Sequence, residues 1–288
     1  MEKKSEFHDK LFVLGGDDTE MRYIADILRA EGVGFVYAEH NGERARRGDA
    51  YAIDFPTLSR KQVWVECRPK DWGSAEMQSM GYYLVDHHNE GDPGYNKTKN
   101  EFWEASSIGQ VCAMLNVEPE SKWKFVAAAD HCLQAAYSSG CPGINREDML
   151  EFRLGHYREG MEVARPLFQG VCDKLRSLPK TSFLGHDILF LNDRKVLDRR
   201  KESFFVTDAT SYTNTPFISV RKRAGRDYYK VFAGTVPADF IRKFLDGGAG
   251  ELGEVIEVFG DPRRNFTGAK LASLNPEYEC LLGVSSDD

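Results

Sequence analysis

The sequence lacks the features that mark several common classes of protein. Its 288 residues contain no Cys-x-x-Cys pair, no Gly-x-x-x-x-Gly-Lys-Ser/Thr loop and no Gly-x-Ser-x-Gly motif. No apolar run approaches the roughly 18 residues that a membrane-spanning helix requires. These absences argue against a structural zinc site, a P-loop nucleotidase, a hydrolase with a nucleophile elbow and an integral membrane protein.

Positive charge is in the minority. The chain has 38 Lys and Arg residues against 45 Asp and Glu residues, a formal net charge of -7. A large nonspecific surface for duplex nucleic acid would need an excess of Lys and Arg to neutralise phosphates. We therefore expect a small phosphorylated substrate, such as a short single-stranded oligonucleotide, held in a local basic pocket.

The N-terminus and the cysteines indicate the compartment. The first residues lack the apolar stretch and the cleavage site of a signal peptide. We expect a cytoplasmic protein that does not contact a membrane. Its six widely scattered cysteines are then expected to be reduced and structural. The oligomeric state is left open, with a homodimer as one option.

Strand-like and helix-like segments alternate in the first half of the chain. Short runs that read as strands lie at 11–14, 32–37, 49–54, 62–66 and 82–86. Helical patterns lie at 21–30, 101–115, 123–136 and 149–178. The alternation predicts an α/β fold with a parallel sheet and crossover helices. Ligands of such sheets bind beyond the carboxyl ends of the strands.

The character of the sequence changes near residue 180. Pro179 and Lys180 are expected to end the last long helical stretch, and strand-like segments dominate afterwards. The predicted strands of this part are 188–191, 204–207, 217–220 and 228–233, and a helix is predicted at 238–245. We therefore predict two domains, a parallel-sheet domain over 1–180 and a smaller α+β domain over 181–288.

The run LVDHHNEGD at 84–92 carries the strongest chemical signal. Asp86, His87 and His88 follow an apolar strand and place one carboxylate and two imidazoles at its end. Residues 86 and 88 share one face of a regular strand and residue 87 lies opposite. Both histidines can reach one cavity where the chain turns. Such a triplet can hold a divalent metal ion and an anion that the ion polarises.

Further carboxylates are predicted at the same sheet edge. Asp17, Asp18 and Glu20 lie in a strand-to-helix turn, where they either bind a hard cation through oxygen or cap the helix. We favour the metal because of the Asp-His-His triplet. Strand-end carboxylates at Glu66 and Asp54 are both candidates for bridging metals, and Glu66 is preferred.

Asp130 follows three alanines in the apolar run AAAD at 127–130. A charge inside an apolar run is costly unless it is paired or ligated. The alternative to a metal ligand is a polar pair, formed with His131, that its neighbours satisfy within the core. We favour the ligand.

Together these residues resemble the DHH phosphoesterase superfamily. It includes RecJ-type exonucleases, nanoRNases, cyclic-dinucleotide phosphodiesterases and family II pyrophosphatases. The resemblance rests on VDHHN at 85–89, EASSIGQV at 104–111 and AAAD at 127–130. It implies Mn²⁺ or Mg²⁺ as cofactor, with His87 and Asp130 as ligands, His88 facing the substrate phosphate and Asp86 orienting the pair. Glu66 stands where the family places a bridging Asp.

The first motif of that family is altered. The family pattern is His, three residues, then Asp-x-Asp. If Asp18 begins the Asp-x-Asp, Leu14 fills the His position; if Asp17 begins it, Val13 does. Either alignment removes a nitrogen ligand from one metal site. One metal, an altered metal preference and absence of catalysis are the resulting options.

The C-terminal part is similar to the substrate-binding domain of many such enzymes. Arg221 and Arg223, in FISVRKR at 217–223, share one strand face and could point at one anion or into solvent. Gly247 and Gly248, in DGGAG at 246–250, resemble the family's Gly-rich loop without its His. Backbone amides of such a loop can bind phosphate.

The expected activity is metal-dependent hydrolysis of a small phosphorylated substrate. Two alternatives are a degenerate relative that binds a phosphorylated ligand or a protein partner, and a pyrophosphatase or polyphosphatase of the same fold. Metal content would separate the first alternative from the enzyme, and a substrate panel would separate the second.

Overall fold

The computed structural model describes residues 5–54, 61–191, 202–222, 227–262 and 265–282. The chain forms two units: Met1–Cys132 with Gly140–Ile144, and Leu133–Ser139 with Asn145–Asp288. The boundary expected at residue 180 therefore lies inside the second unit. The two helices before it pack with later elements: Arg153 pairs with Asp208 at 2.8 Å, and the ring of Phe168 lies 5.3 Å from that of Tyr212.

The first unit contains a four-stranded parallel sheet. In spatial order its strands are β2 (Phe35–Tyr37), β1 (Leu11–Leu14), β5 (Gln62–Val65) and β6 (Tyr83–Val85). The central strands are almost entirely buried, as expected for a sheet covered on both faces. A separate two-stranded ribbon joins β3 (Glu39–His40) to β4 (Glu43–Arg44). The predicted parallel sheet is confirmed.

Helices connect and cover this sheet. They are α1 (Thr19–Ala30), α2 (Ser74–Ser79), α3 (Phe102–Ala105), α4 (Ser107–Leu115) and α5 (Ser121–His131). Short 3₁₀ turns lie at Glu6–Asp9, Arg47–Asp49 and Lys99–Glu101. The apolar residues of α1 recur on one face and are buried there, which holds the helix against the unit's core.

The second unit contains a six-stranded mixed sheet. Its strands, in spatial order, are β11 (Gly253–Asp261), β12 (Phe266–Leu274), β10 (Tyr229–Gly234), β9 (Phe217–Lys222), β8 (His186–Leu191) and β7 (Thr181–Phe183). Only β8 and β9 pair in parallel. The predicted separate, sheet-rich C-terminal region is confirmed.

Six described helices accompany the sheet of the second unit. They are α6 (Leu133–Tyr137), α7 (Arg146–Leu154), α8 (Met161–Ser177), α9 (Val206–Thr213), α10 (Ala238–Leu245) and α11 (Pro276–Leu282). Two 3₁₀ turns lie at Ser203–Phe205 and Gly248–Glu251. No helix in the described ranges is long and apolar enough to cross a membrane.

Two predicted strands are absent from the structure. Residues 49–54 form turns, with a single bridge from Ile53 to Pro69. Residues 204–207 form a 3₁₀ turn and the start of α9, where Phe205 is buried. Both are short apolar runs, which periodicity alone cannot assign to a strand or a helix. The two nine-residue strands β11 and β12 were not predicted.

Gly15 joins β1 to β5 at the carboxyl edge of the sheet. Its amide donates to the Val65 carbonyl at 2.9 Å, and a Cβ there would lie 2.5 Å from the carbonyl oxygen of Glu66. We expect Gly15→Ala to lower the free energy of unfolding by about 1–3 kcal/mol, because backbone must move to relieve the overlap. Denaturant unfolding measures the change.

Gly170→Ala is the matched control, because nothing lies within 4 Å of a Cβ at that helical position. Since Ala favours a helix over Gly, this control should gain up to about 1 kcal/mol. Equal effects of the two substitutions would contradict the close approach at Gly15.

Candidate metal centre

Four side chains converge beyond the carboxyl ends of β5 and β6. Glu66 follows β5, His87 and His88 follow β6, and Asp130 lies in the last turn of α5. One ligand atom from each lies within 4.8 Å of the other three. Glu66, His87 and His88 are residues that the sequence places at strand ends, and Asp130 reaches them from a helix.

The ring of His87 has a defined orientation. Its Nδ1 lies 3.3 Å from the Ala105 carbonyl oxygen. A carbonyl only accepts, so Nδ1 carries a proton, and in the neutral imidazole Nε2 then presents a lone pair. That nitrogen lies 3.0 Å from Asp130 Oδ2 and 3.9 Å from Glu66 Oε1. Three electron-rich atoms facing one another fit a cation, and a backbone carbonyl behind the imidazole is the usual support of a metal-binding histidine.

Asp86 orients the histidines and does not join the cluster. Its Oδ1 accepts the backbone N–H of His87 at 2.7 Å and lies 2.8 Å from His88 Nδ1. Tyr51 and Arg68 donate to Oδ2 at 3.1 and 3.2 Å. Burial alone would raise the pKa of Asp86, but the hydrogen bond and charge of His88, followed by the charge of Arg68, lower it below its ordinary value. The expected orienting role therefore has a direct geometric basis.

Arg68 is the centre of a buried hydrogen-bond network next to the histidines, which the sequence did not predict. Its guanidinium donates to Asp92 at 2.7 Å and to Ser74 at 2.8 Å, as well as to Asp86. Ser74 in turn donates to Asp92 at 2.6 Å. The position of Arg68, two residues after the strand-end Glu66, was the available signal. This network fixes the loop on which both histidines stand.

Glu66 is held in an uncommon backbone conformation. Its φ is +49°, in the left-handed region that non-glycine residues rarely adopt and that recurs at functional sites. Ser107, at the start of α4, donates its hydroxyl to Glu66 Oε1 at 2.7 Å. Burial, and next the charge of Glu20, raise the pKa of Glu66 well above its ordinary value.

Glu20 adds a buried carboxylate beside Glu66. Its Oε1 accepts the backbone N–H of Ile108 at 2.9 Å. Its other carboxyl oxygen, Oε2, is buried, and the carboxyl group of Glu66 is its neighbour, with which it can share a proton. Burial, and next the charge of Asp130, raise the pKa of Glu20 well above its ordinary value. Buried like charges of this kind are costly unless a cation offsets them.

The donor set fits a divalent metal ion. Carboxylate oxygens and imidazole nitrogens together suit Mn²⁺ and related first-row ions, whereas Mg²⁺ prefers oxygen alone. His87 and Glu66 form the buried side, with side-chain exposures of 0% and 8%. Asp130 and His88 are 28% and 34% exposed. The cluster is therefore accessible from the side of Asp130 and His88.

Glu20→Gln should change metal-free stability and metal affinity in opposite directions. With a chelator present, we expect the variant to be more stable by about 1 kcal/mol or more at pH 8, because a buried charge is removed while an oxygen remains for Ile108. The raised pKa means that the wild-type carboxyl is protonated at low pH, so the difference should shrink as pH falls. Denaturant unfolding at several pH values measures it.

The second half of that prediction concerns the ion. Mn²⁺ should bind the Glu20→Gln variant more weakly than the wild type, because a negative charge beside Asp130 is lost. Asp26→Asn, on the exposed side of α1, is the control and should change neither quantity measurably. Destabilisation of the Gln variant in chelator would contradict the proposed repulsion.

The structure does not bring Asp17 into the cluster. Its carboxylate pairs with Arg22 at 2.9 Å and with Arg44 at 3.4 Å. Asp18 accepts the backbone N–H of Met21 at 2.8 Å as the N-cap of α1. Helix capping, the alternative for this turn, is thus the observed contact of Asp18, since its side chain satisfies an otherwise unbonded N–H of the first turn.

Asp54, the alternative to Glu66, accepts the backbone N–H of Gly42 and lies outside the four-residue cluster. Val13 and Leu14, the two residues that could stand at the missing histidine, are fully buried in β1. Neither can supply a nitrogen ligand.

Of the predicted phosphate-binding residues, Arg221 lines a cavity. The cavity has a volume of about 250 Å³ and lies within the second unit. Its lining residues are Val206, Thr207, Phe217, Ser219, Arg221, Lys230 and Phe232. Lys230 is the register partner of Arg221 across β9 and β10. Arg223 lies outside the described residues.

Gly247 and Gly248 do not line that cavity. They follow the carboxyl end of α10, where Gly247 has a φ of +115°. A Cβ on Gly248 would lie 2.7 Å from the Lys243 carbonyl oxygen. The carboxyl end of a helix carries partial negative charge, so this turn is poorly suited to phosphate. The presence of glycine here is explained by the positive φ of Gly247 and by the close approach of the Lys243 carbonyl to Gly248.

Comparison with known proteins adds no family to this description. No protein-family model matches the chain. A search of curated proteins gives no significant match.

Proposed function

We propose that the protein is a metal-dependent phosphoesterase of the DHH type that hydrolyses a small phosphorylated substrate. The observation that carries the proposal is the cluster of Glu66, His87, His88 and Asp130, whose ligand atoms lie within 4.8 Å of one another. The contact of His87 Nδ1 with a backbone carbonyl adds weight, because in the neutral imidazole it leaves the lone pair of Nε2 facing two carboxylates.

Each residue of the centre has a distinct task in this proposal. Glu66, His87 and Asp130, with Glu20 beside them, would hold the ion. When bound, a divalent ion supplies Lewis-acid polarisation of a phosphoryl oxygen and activates water for attack on phosphorus. His88 would contact the phosphate and hold or release a proton at Nε2, since Asp86 engages Nδ1.

The substrate class follows from charge and from the second unit. A net charge of -7 disfavours long nucleic acid, whereas a short oligonucleotide or a nucleotide phosphoester carries few phosphates. Arg221 and Lys230 line the cavity of the second unit and are suitable contacts for an anion.

The test is hydrolysis by the chelator-stripped full chain, with and without Mn²⁺ or Mg²⁺. The panel holds pyrophosphate, dinucleotides, cyclic dinucleotides and an aryl phosphodiester. Metal-dependent turnover that His88→Ala loses while still binding Mn²⁺ supports both the activity and the phosphate-contact role. Loss of Mn²⁺ binding in His88→Ala would instead make His88 a ligand.

Metal binding without hydrolysis is the second candidate. It is favoured by Val13 and Leu14, which leave β1 without a nitrogen ligand. Mn²⁺ binding by a folded protein that turns over no member of the panel would establish this candidate. No Mn²⁺ binding at all would overturn both functions.

A further inference from the structure

Two of the six cysteines lie against each other. Cys132 Sγ is 2.7 Å from Cys141 Sγ, well inside the contact distance of two sulfur atoms that are not bonded. Both residues are buried, with exposures of 6% and 3%. Cys280, by contrast, is exposed.

The positions of these two thiols in the chain are as informative as their contact. Cys132 is the last residue before the chain enters the second unit at Leu133, and Cys141 follows the return to the first unit at Gly140. Between them lies Leu133–Ser139, which includes α6. A bond between the two sulfurs would link the two ends of the segment Leu133–Ser139.

Cys132 also ends the helix that carries Asp130. Its φ and ψ of -149° and +47° break the helical path between α5 and α6. Its amide still donates to the Ala128 carbonyl at 3.0 Å. The thiol pair therefore meets at the point where α5 stops, two residues from a member of the metal cluster.

We propose that Cys132 and Cys141 are a modification site at which hydrogen peroxide forms a reversible disulfide. A peroxide is small enough to reach thiols with slight residual exposure. This inference does not depend on the proposed hydrolytic function. It goes beyond the expectation that all six cysteines are merely structural.

The chemistry balances in two steps. The thiolate of one cysteine attacks a peroxide oxygen, the O–O bond breaks, and the departing hydroxide takes a proton to become water. The second cysteine, losing its thiol proton, attacks the sulfenic sulfur; the S–S bond forms, the S–O bond breaks, and a second water leaves. The two thiols lose two electrons, which the peroxide gains.

Because the two sulfurs are in contact, we expect disulfide formation to be faster than further oxidation of the sulfenic acid to sulfinic acid. A sulfenic acid with a thiol already beside it condenses to a disulfide, whereas an isolated one proceeds to sulfinic acid. The short closed loop, from 132 to 141, should also restrict the unfolded chain. We therefore expect oxidation to raise the Tm by about 5 °C or more.

The experiment uses the full chain carrying Cys280→Ser, with a chelator present to prevent metal-catalysed oxidation. A small excess of peroxide is added, free thiols are alkylated after unfolding, and peptides are identified by mass spectrometry. Five alkylated cysteines should fall to three, with a 132–141 cross-link that dithiothreitol removes. Amide exchange over 133–140 should slow in the oxidised form.

Control variants separate this pair from the other thiols. Cys112→Ser should leave the cross-link and the Tm shift intact, while Cys141→Ser should abolish both. Sulfinic acid at 132 or 141 without a cross-link, or oxidation of other cysteines while these two remain alkylated, would overturn the proposal. The mass measurement on the Cys280→Ser protein decides even if Cys141→Ser fails to fold. None of these outcomes bears on hydrolysis.

Discussion

His87→Ala is expected to abolish stabilisation by Mn²⁺ and, with it, metal-dependent hydrolysis. At Mn²⁺ about 100 times its Kd, the wild type should gain about 2.7 kcal/mol in the free energy of unfolding. The variant should show almost none of that gain and bind Mn²⁺ more than about 100-fold more weakly, because Nε2 lies at the centre of the cluster. Thermal unfolding against Mn²⁺ concentration and calorimetry measure both.

His186→Ala provides the matched control for the loss of an imidazole. His186 lies in the second unit and pairs with Asp239 at 2.9 Å. This variant should keep the full Mn²⁺ shift. The metal-centre interpretation fails if folded wild-type protein shows no shift, or if the two histidine variants respond to Mn²⁺ alike.

Arg68→Met is expected to lower the free energy of unfolding by about 3–5 kcal/mol. The side chains of Arg68, Asp86 and Asp92 are 6%, 2% and 0% exposed. Removing the cation leaves two buried carboxylates without their shared partner, which costs far more than an intact buried pair contributes. Denaturant unfolding in chelator isolates this effect from metal binding.

Arg165→Met is the matched control. Arg165 pairs with Glu151 at 3.0 Å, but both side chains are about half exposed or more, and such pairs contribute little. Its effect should stay within about 0.5 kcal/mol. Adding Asp92→Asn to Arg68→Met should recover part of the loss, because one stranded charge is removed. A loss below about 1 kcal/mol in Arg68→Met would refute the network's structural role.

The sequence predicts the parallel sheet of the first unit well, and the reason is local. Buried parallel strands are continuous apolar runs, and those at 11–14, 62–66 and 82–86 correspond to β1, β5 and β6. The runs at 49–54 and 204–207 are equally apolar but become turns and helix. Tertiary packing decides such short segments, and composition does not record it.

The candidate site likewise has residues whose positions the sequence predicts and residues whose positions it does not. Glu66, His87, His88 and Asp130 stand at element ends, so their convergence follows from topology. The position of Asp17 outside that cluster does not follow from topology. Its partner Arg44 lies on a strand of the two-stranded ribbon, 27 residues later in the sequence. Sequence also shows no reason to connect Arg68 to Asp92, since their contact requires the folded loop after β6.

The first turn of α4 contacts two glutamates of the proposed metal centre. Ser107 and Ile108 each donate one hydrogen bond to a glutamate of the centre, the hydroxyl to Glu66 and the amide to Glu20. The helix start also brings partial positive charge toward these carboxylates. Part of their repulsion is thus offset by the polypeptide itself. If the proposed ion binds, the chain would therefore complete folding before the ion arrives, and one ion would be exchanged for another without unfolding.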